Sequence, residues 1–136
     1  VSYDPFLSSQ NEAPKAPGMK YKHYAPDAPM RAFIGNPKDV AEAFNNVIHE
    51  QDTKRGAFLV SQETYELLKD SVHGEFHVYG HSGDAVALAH DFYKTLHHFN
   101  ECDVDYILAE GVENTGLGVA VMNRMEKACA GHIIYL

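Results

Sequence analysis

The chain has little of what several protein classes require. It carries only two cysteines, Cys102 and Cys129, in 136 residues. Their spacing is not that of metal ligands and implies no disulfide framework, so both are expected as reduced thiols. Cations are scarce too: 11 Lys and Arg against 19 Asp and Glu leave a formal charge of −8. A polyanionic ligand needs net or patched positive charge, which argues against direct binding of nucleic acid. No apolar run approaches the length of a membrane span and no signal-peptide pattern is present. Neither secretion nor membrane insertion has support, and the cytoplasm is the default compartment. Proline is nearly missing beyond residue 30, since all but one of the six fall within residues 1–29.

What is present is ordinary globular composition, 45% hydrophobic and 22% charged, sufficient for one domain with its own core. Residues 1–29 hold most of the proline together with Ser8, Ser9, Gln10 and Asn11. No apolar period runs through them, and they read as an extended tail and linker. With few apolar anchors, this segment is expected to be poorly ordered unless it docks on a partner. The folded domain is expected to occupy residues 30–136.

Within that domain, short apolar segments alternate with amphipathic ones. Residues 30–34 read as a strand, with Asn36 as helix cap and Pro37 at the first helical position. Val40, Ala41, Phe44, Val47 and Ile48 then recur at helical spacing. Residues 57–60 form a second strand, and Ser61 caps a helix carrying Tyr65, Leu67 and Leu68. Residues 76–79 form a third strand. From Asp84 to Asn100, the residues Ala85, Leu88, Ala89, Phe92, Leu96 and Phe99 fall on one stripe. Residues 106–109 are the fourth strand, 117–129 the fourth helix and 133–136 a closing fifth strand. Such alternation requires right-handed crossovers, which place helices on both faces of a parallel sheet. The expected fold is α/β, a three-layer Rossmann-like sandwich with a five-stranded, mainly parallel sheet. Ligands of such sheets sit beyond the carboxyl ends of the strands, here the loops around Gly35, Ser61, residues 80–83 and residues 111–116.

Several groups invite chemistry. The loop bearing Gly111, Thr115, Gly116 and Gly118 follows a strand and opens a helix, the geometry of an anion cradle. It lacks the Lys and Ser or Thr of a phosphate-binding loop, and Val121 stands where a dinucleotide fingerprint has glycine, which favours a tight turn. His73, His77 and His81 repeat every fourth residue. At about 3.3 Å per residue of strand, successive imidazoles lie roughly 13 Å apart, too far to share an ion. His97 and His98 point about 100° apart on a helix. No metal site is expected. Arg124 and Lys127 suit the end of the last helix, and Asn123 has no evident role.

The segment Ala16-Pro17-Gly18-Met19-Lys20-Tyr21-Lys22-His23-Tyr24-Ala25-Pro26 is the least generic part of the chain. Pro17 and Pro26 favour extended backbone before them and Gly18 permits a turn, which makes a stiff strap. Lys20, Lys22 and His23 offer donors and charge to phosphate or carboxylate, while Tyr21 and Tyr24 can stack or hydrogen bond. As composition alone, the strap is a solvated linker; its wording is more specific. It resembles the linker of the long-form Sua/YrdC-type L-threonylcarbamoyladenylate synthases, which reads close to Ser-Pro-Gly-Met-Lys-Tyr-Arg-His-Tyr-Ala-Pro. Ala16 replaces the usual Ser. Lys22 replaces Arg, keeping the charge but losing the planar fork. Residues 116–128, Gly-Leu-Gly-Val-Ala-Val-Met-Asn-Arg-Met-Glu-Lys-Ala, are similar to a helix of the same family.

That resemblance implies a C-terminal accessory domain whose catalytic domain lies upstream of Val1. It implies an enzyme that combines L-threonine, bicarbonate and ATP, with Mg, into threonylcarbamoyl-adenylate for tRNA modification. This fragment alone is expected to hold no cofactor and to be inactive. Lys20, Tyr21, Lys22, His23 and Tyr24 would then be lid residues that contact the nucleotide or substrate. The competing reading is a free-standing module that senses a small anion or nucleotide at its own strand ends.

Overall fold

A computed structural model describes residues 26–136. The strap residues Lys20, Tyr21, Lys22, His23 and Tyr24, and the expectation about order in the tail, lie outside the described residues, save that 26–29 are seen.

The described chain alternates strictly: β1 (Met30–Ile34), α1 (Pro37–Glu50), β2 (Gly56–Val60), α2 (Gln62–Leu68), β3 (Glu75–Val78), α3 (Ala85–Glu101), β4 (Tyr106–Glu110), α4 (Gly118–Ala128) and β5 (Ile133–Tyr135). The strands form one sheet in the order β3-β2-β4-β1-β5, and every pairing is parallel. The register sets Ala32 beside Ala109 and Ile133, and Leu59 beside Ala109 and His77. The first two crossovers run toward the β3 edge and the last two toward the β5 edge. With one handedness throughout, α1 and α2 share one face and α3 and α4 the other. Contacts between α1 and α2, and between α3 and α4, agree. This is the three-layer α/β sandwich with helices on both faces.

Alternation along buried strands fills two cores. On the α3–α4 side, Ala32, Ile34, Leu59, Ile107 and Ala109 meet Leu88, Phe92, Leu96, Phe99, Val121, Met122 and Met125. On the α1–α2 side, Phe33, Phe58, Val60 and Leu108 meet Val40, Phe44, Val47 and Leu68. There Phe44 lies 5.6 Å from Phe33 and 6.1 Å from Phe58, ring centre to ring centre. Each such buried ring contributes about 1.5–3 kcal/mol through its removal from water.

The helix starts follow local chemistry. Asn36 Oδ1 accepts from Asp39 N at 2.9 Å, with Pro37 at the first turn. Ser61 Oγ accepts from Thr64 N and Asp84 Oδ1 from Ala87 N. Helix α4 has no side-chain cap at Leu117. The stripe on α3 differs from expectation at two positions: Ala89, expected on it, is exposed, and Thr95, outside it, is buried. At 100° per residue the buried arc centres between Leu88 and Phe92, which leaves Ala89 roughly 70° away. Leu67 of α2 is likewise exposed. Attachment begins ahead of β1. Asp27 N donates to Asn100 Oδ1, Ala28 packs on the core and the Pro29 carbonyl accepts from Ile107 N.

Candidate functional site

Neighbouring β1 and β4 send their helices to opposite faces of the sheet, which opens a crevice beyond their carboxyl ends. Its walls are Ile34, Gly35 and Asn36 after β1, Ser82 and Gly83 after β3, residues 111–115 after β4, and Tyr135 and Leu136 at the end of β5. It encloses about 710 Å³. An adjoining lobe of about 400 Å³ shares Gly83, Val112, Glu113 and Thr115 with it and continues to Val86, Leu117 and Gly118. The rim is apolar, since Val86, Leu117, Tyr135 and Leu136 are all exposed.

Of the anion-loop residues expected from sequence, Gly111 and Thr115 line the main crevice and Gly118 the adjoining lobe, while Gly116 sits in the turn. Gly116 has φ +53, a left-handed conformation that costs other residues energy. A Cβ at Gly118 would collide with the Glu113 carbonyl oxygen. The first amides of α4 are engaged inside the turn: Gly118 N donates to Thr115 O and Val119 N to Gly116 O. Among the described residues the lining includes Asp84 and Glu113 but neither lysine nor arginine. This set does not fit a triphosphate, which needs free amides or cations.

Below the crevice lies a polar seam that sequence reasoning missed. Glu110 is 1% exposed, at the carboxyl end of β4, and its Oε1 accepts from Ser61 N at 2.8 Å. Ser61 is fully buried and bonds Thr64 Oγ1 as well. Tyr79, 5% exposed, has a hydroxyl with no hydrogen-bond partner among the described residues. Burial, with the carboxylates of Glu110, Glu63 and Asp84 nearby, pushes that phenol well above its ordinary range. Glu63 is held low, chiefly because its Oε1 accepts from Ser82 N at 2.9 Å, with His81 alongside. Only the position of Glu110 as a carboxylate ending an apolar strand could have signalled the seam.

Of the repeated histidines, His77 and His81 go to separate partners. His77 Nε2 meets Asp91 Oδ2 at 2.7 Å, and His81 Nδ1 lies 3.4 Å from Glu63. His97 faces Glu101 at 3.7 Å. Burial opposes ionisation of Asp91, yet His77 and His90 outweigh it and hold its carboxyl below the usual range. Asn123 and Arg124 lie exposed on α4. No helix among the described residues is long and apolar enough to cross a membrane.

Residues 2–130 match the family described as threonylcarbamoyl-AMP synthase, C-terminal domain. The chain is 36% identical to a threonylcarbamoyl-AMP synthase of Bacillus subtilis over 136 residues, 98% of this chain and 37% of that protein. It is 40% identical to one of Pyrococcus abyssi over 124 residues, 88% of this chain and 33% of that protein. The crystal structure of P. abyssi Sua5 complexed with L-threonine superposes with a TM-score of 0.68 at 33% identity, covering 94% of this chain and 36% of that one. The chain therefore spans about a third of the length of the relatives it matches.

Proposed function

The chain belongs to the family of threonylcarbamoyl-AMP synthase C-terminal domains, and from that premise we propose that it serves a longer enzyme as accessory domain and active-site-covering linker. The enzyme joins L-threonine, bicarbonate and ATP into threonylcarbamoyl-adenylate, releasing pyrophosphate, for modification of tRNA in the cytoplasm. A separate N-terminal catalytic domain holds the nucleotide and its Mg. The observation that carries this reading is a family match that runs from residue 2 through both the strap and the α/β body. Among the described residues the crevice walls carry neither Lys nor Arg, which supports placing phosphate recognition on the strap and the catalytic domain.

In this reading Lys20, Tyr21, Lys22, His23 and Tyr24 form a lid. A carbamate and a mixed anhydride both decompose in water, so a segment that closes over them excludes solvent and strengthens the charge contacts inside. Lys20, Lys22 and His23 supply positive charge toward phosphate, and the tyrosines supply stacking or hydroxyl contacts. The loop of Gly111, Thr115, Gly116 and Gly118 is a turn that shapes the crevice rim.

The test joins this chain to its catalytic domain and measures adenylate formation. His23→Ala, or Tyr21→Ala with Lys22→Ala, should lower the rate at least about tenfold, or about 1.4 kcal/mol of transition-state stabilisation, with unchanged thermal stability. The isolated chain, given threonine, bicarbonate and Mg-ATP, should form product only at background. Unaltered activity in the strap variants would reduce the strap to a passive tether. Turnover by the isolated chain, or tight nucleotide binding to residues 26–136 alone, would favour the free-standing module.

A further inference from the structure

At the opposite end of the sheet from the crevice, the right-handed return from β3 through α3 brings the last turn of that helix back to the level where β3 began. Glu75 opens the edge strand β3, His98 lies in the last turn of α3, and Cys102 caps it. One carboxylate oxygen, one imidazole nitrogen and the thiol sulfur all lie within 4.8 Å of one another. His98 Nε2 and Cys102 Sγ are 3.5 Å apart. We propose that Glu75, His98 and Cys102 form a binding site for a divalent transition ion of the zinc class, with solvent as fourth ligand.

The donor set fits that ion. A tetrahedral zinc site with bonds of about 2.0–2.3 Å has ligand atoms about 3.3–3.7 Å apart, and one sulfur, one nitrogen and one oxygen suit a borderline cation. The His98–Cys102 pair already has this separation, fixed by an i,i+4 spacing that stacks the two on one helix face. Glu75, already a hydrogen-bond partner of the Cys102 thiol and with three rotatable bonds, lies within 4.8 Å of both other ligand atoms and can swing into the remaining position. The helix end adds the negative pole of its dipole, and Glu101 lies near the thiol; the Arg55 guanidinium, also near it, opposes binding. Glu75 and Cys102 are half-buried and His98 is exposed, so an ion has a route in. On binding, the Cys102 S–H bond gives way to a sulfur–metal bond and its proton passes to solvent. Strand β3 is half-buried along its whole length, and the ion would staple this edge to α3.

Cobalt(II) is the probe, titrated into the intact 136-residue chain under reducing conditions. Thiolate ligation should appear as a near-ultraviolet sulfur-to-cobalt charge-transfer band that saturates at one ion per chain and is displaced by zinc. Cys102→Ser should abolish the band, and His98→Ala or Glu75→Gln should weaken binding at least about a hundredfold, beyond the loss typical of outer-shell partners. Cys129→Ser should leave it intact. Zinc at a hundredfold excess over its Kd should raise the Tm by on the order of 10 °C in the parent chain and not in Cys102→Ser. No charge-transfer band, a band lost with Cys129→Ser, or a band indifferent to both His98→Ala and Glu75→Gln would overturn the assignment.

Discussion

Tyr79 shows how much a single residue can decide. Its hydroxyl is enclosed without a partner among the described residues, and a buried unsatisfied hydroxyl costs about 1–3 kcal/mol. Tyr79→Phe keeps the ring in the core and removes that cost, and should stabilise the domain by about 1 kcal/mol in urea denaturation. A loss of stability instead would mean that the hydroxyl is bonded in solution. At this scale sequence was an uneven guide. Asn36, Pro37 and Ser61 were readable because a cap is a local event, made with an amide three residues on. Glu110 and Ser61 meet across 49 positions of chain, and Glu75 lies far in sequence from His98 and Cys102, so no spacing rule connects them. The strap, by contrast, carries its message in consecutive letters.

Elements were legible for a different reason, which is that helical and strand periods are strong signals when apolar residues are dense. Strand β1 fell where its apolar run fell, β2 and β4 gained one residue at one end, β3 lay one residue earlier at both ends, and β5 ended one residue early. Sequence could not show that β4 would slot between β1 and β2, because strand order depends on which faces remain to be covered, a property of the assembled sheet. The orientation of α3 was misjudged at Ala89 because alanine is small enough for either side of a helix. Helix α2 offers a direct measurement at this scale. It has only seven residues and depends on Ser61, whose oxygen takes the Thr64 amide at 3.3 Å. Ser61→Ala should lower stability by about 1 kcal/mol. Hydrogen exchange should locate the loss in α2; a uniform increase across the domain would contradict a capping role.

For the whole molecule, burial sets an alkaline limit. Cys129 is 2% exposed, and burial pushes its thiol up to about 12. The unfolded thiol ionises near 8.5, so the folded form binds its proton more tightly and the associated stability is intact below that pH. Between about pH 9 and 12 the unfolded state gains charge that the folded state refuses, and stability falls by about 1.4 kcal/mol per pH unit. Cys129→Ala should remove that part of the slope when denaturation midpoints are compared from pH 8 to 11. Parallel slopes in parent and variant would assign the loss to other groups. The proposed linker enters the domain at β1, which fixes how a load along it is borne. β1 is an interior strand, bonded to β4 on one side through Met30, Arg31, Ala32 and Phe33 and to β5 on the other through Ala32, Phe33 and Ile34. Tension arriving along the linker loads these two ladders in shear, so their bonds resist together instead of peeling one by one. In the proposed lid reading, a load on the strap would pass into the sheet through β1.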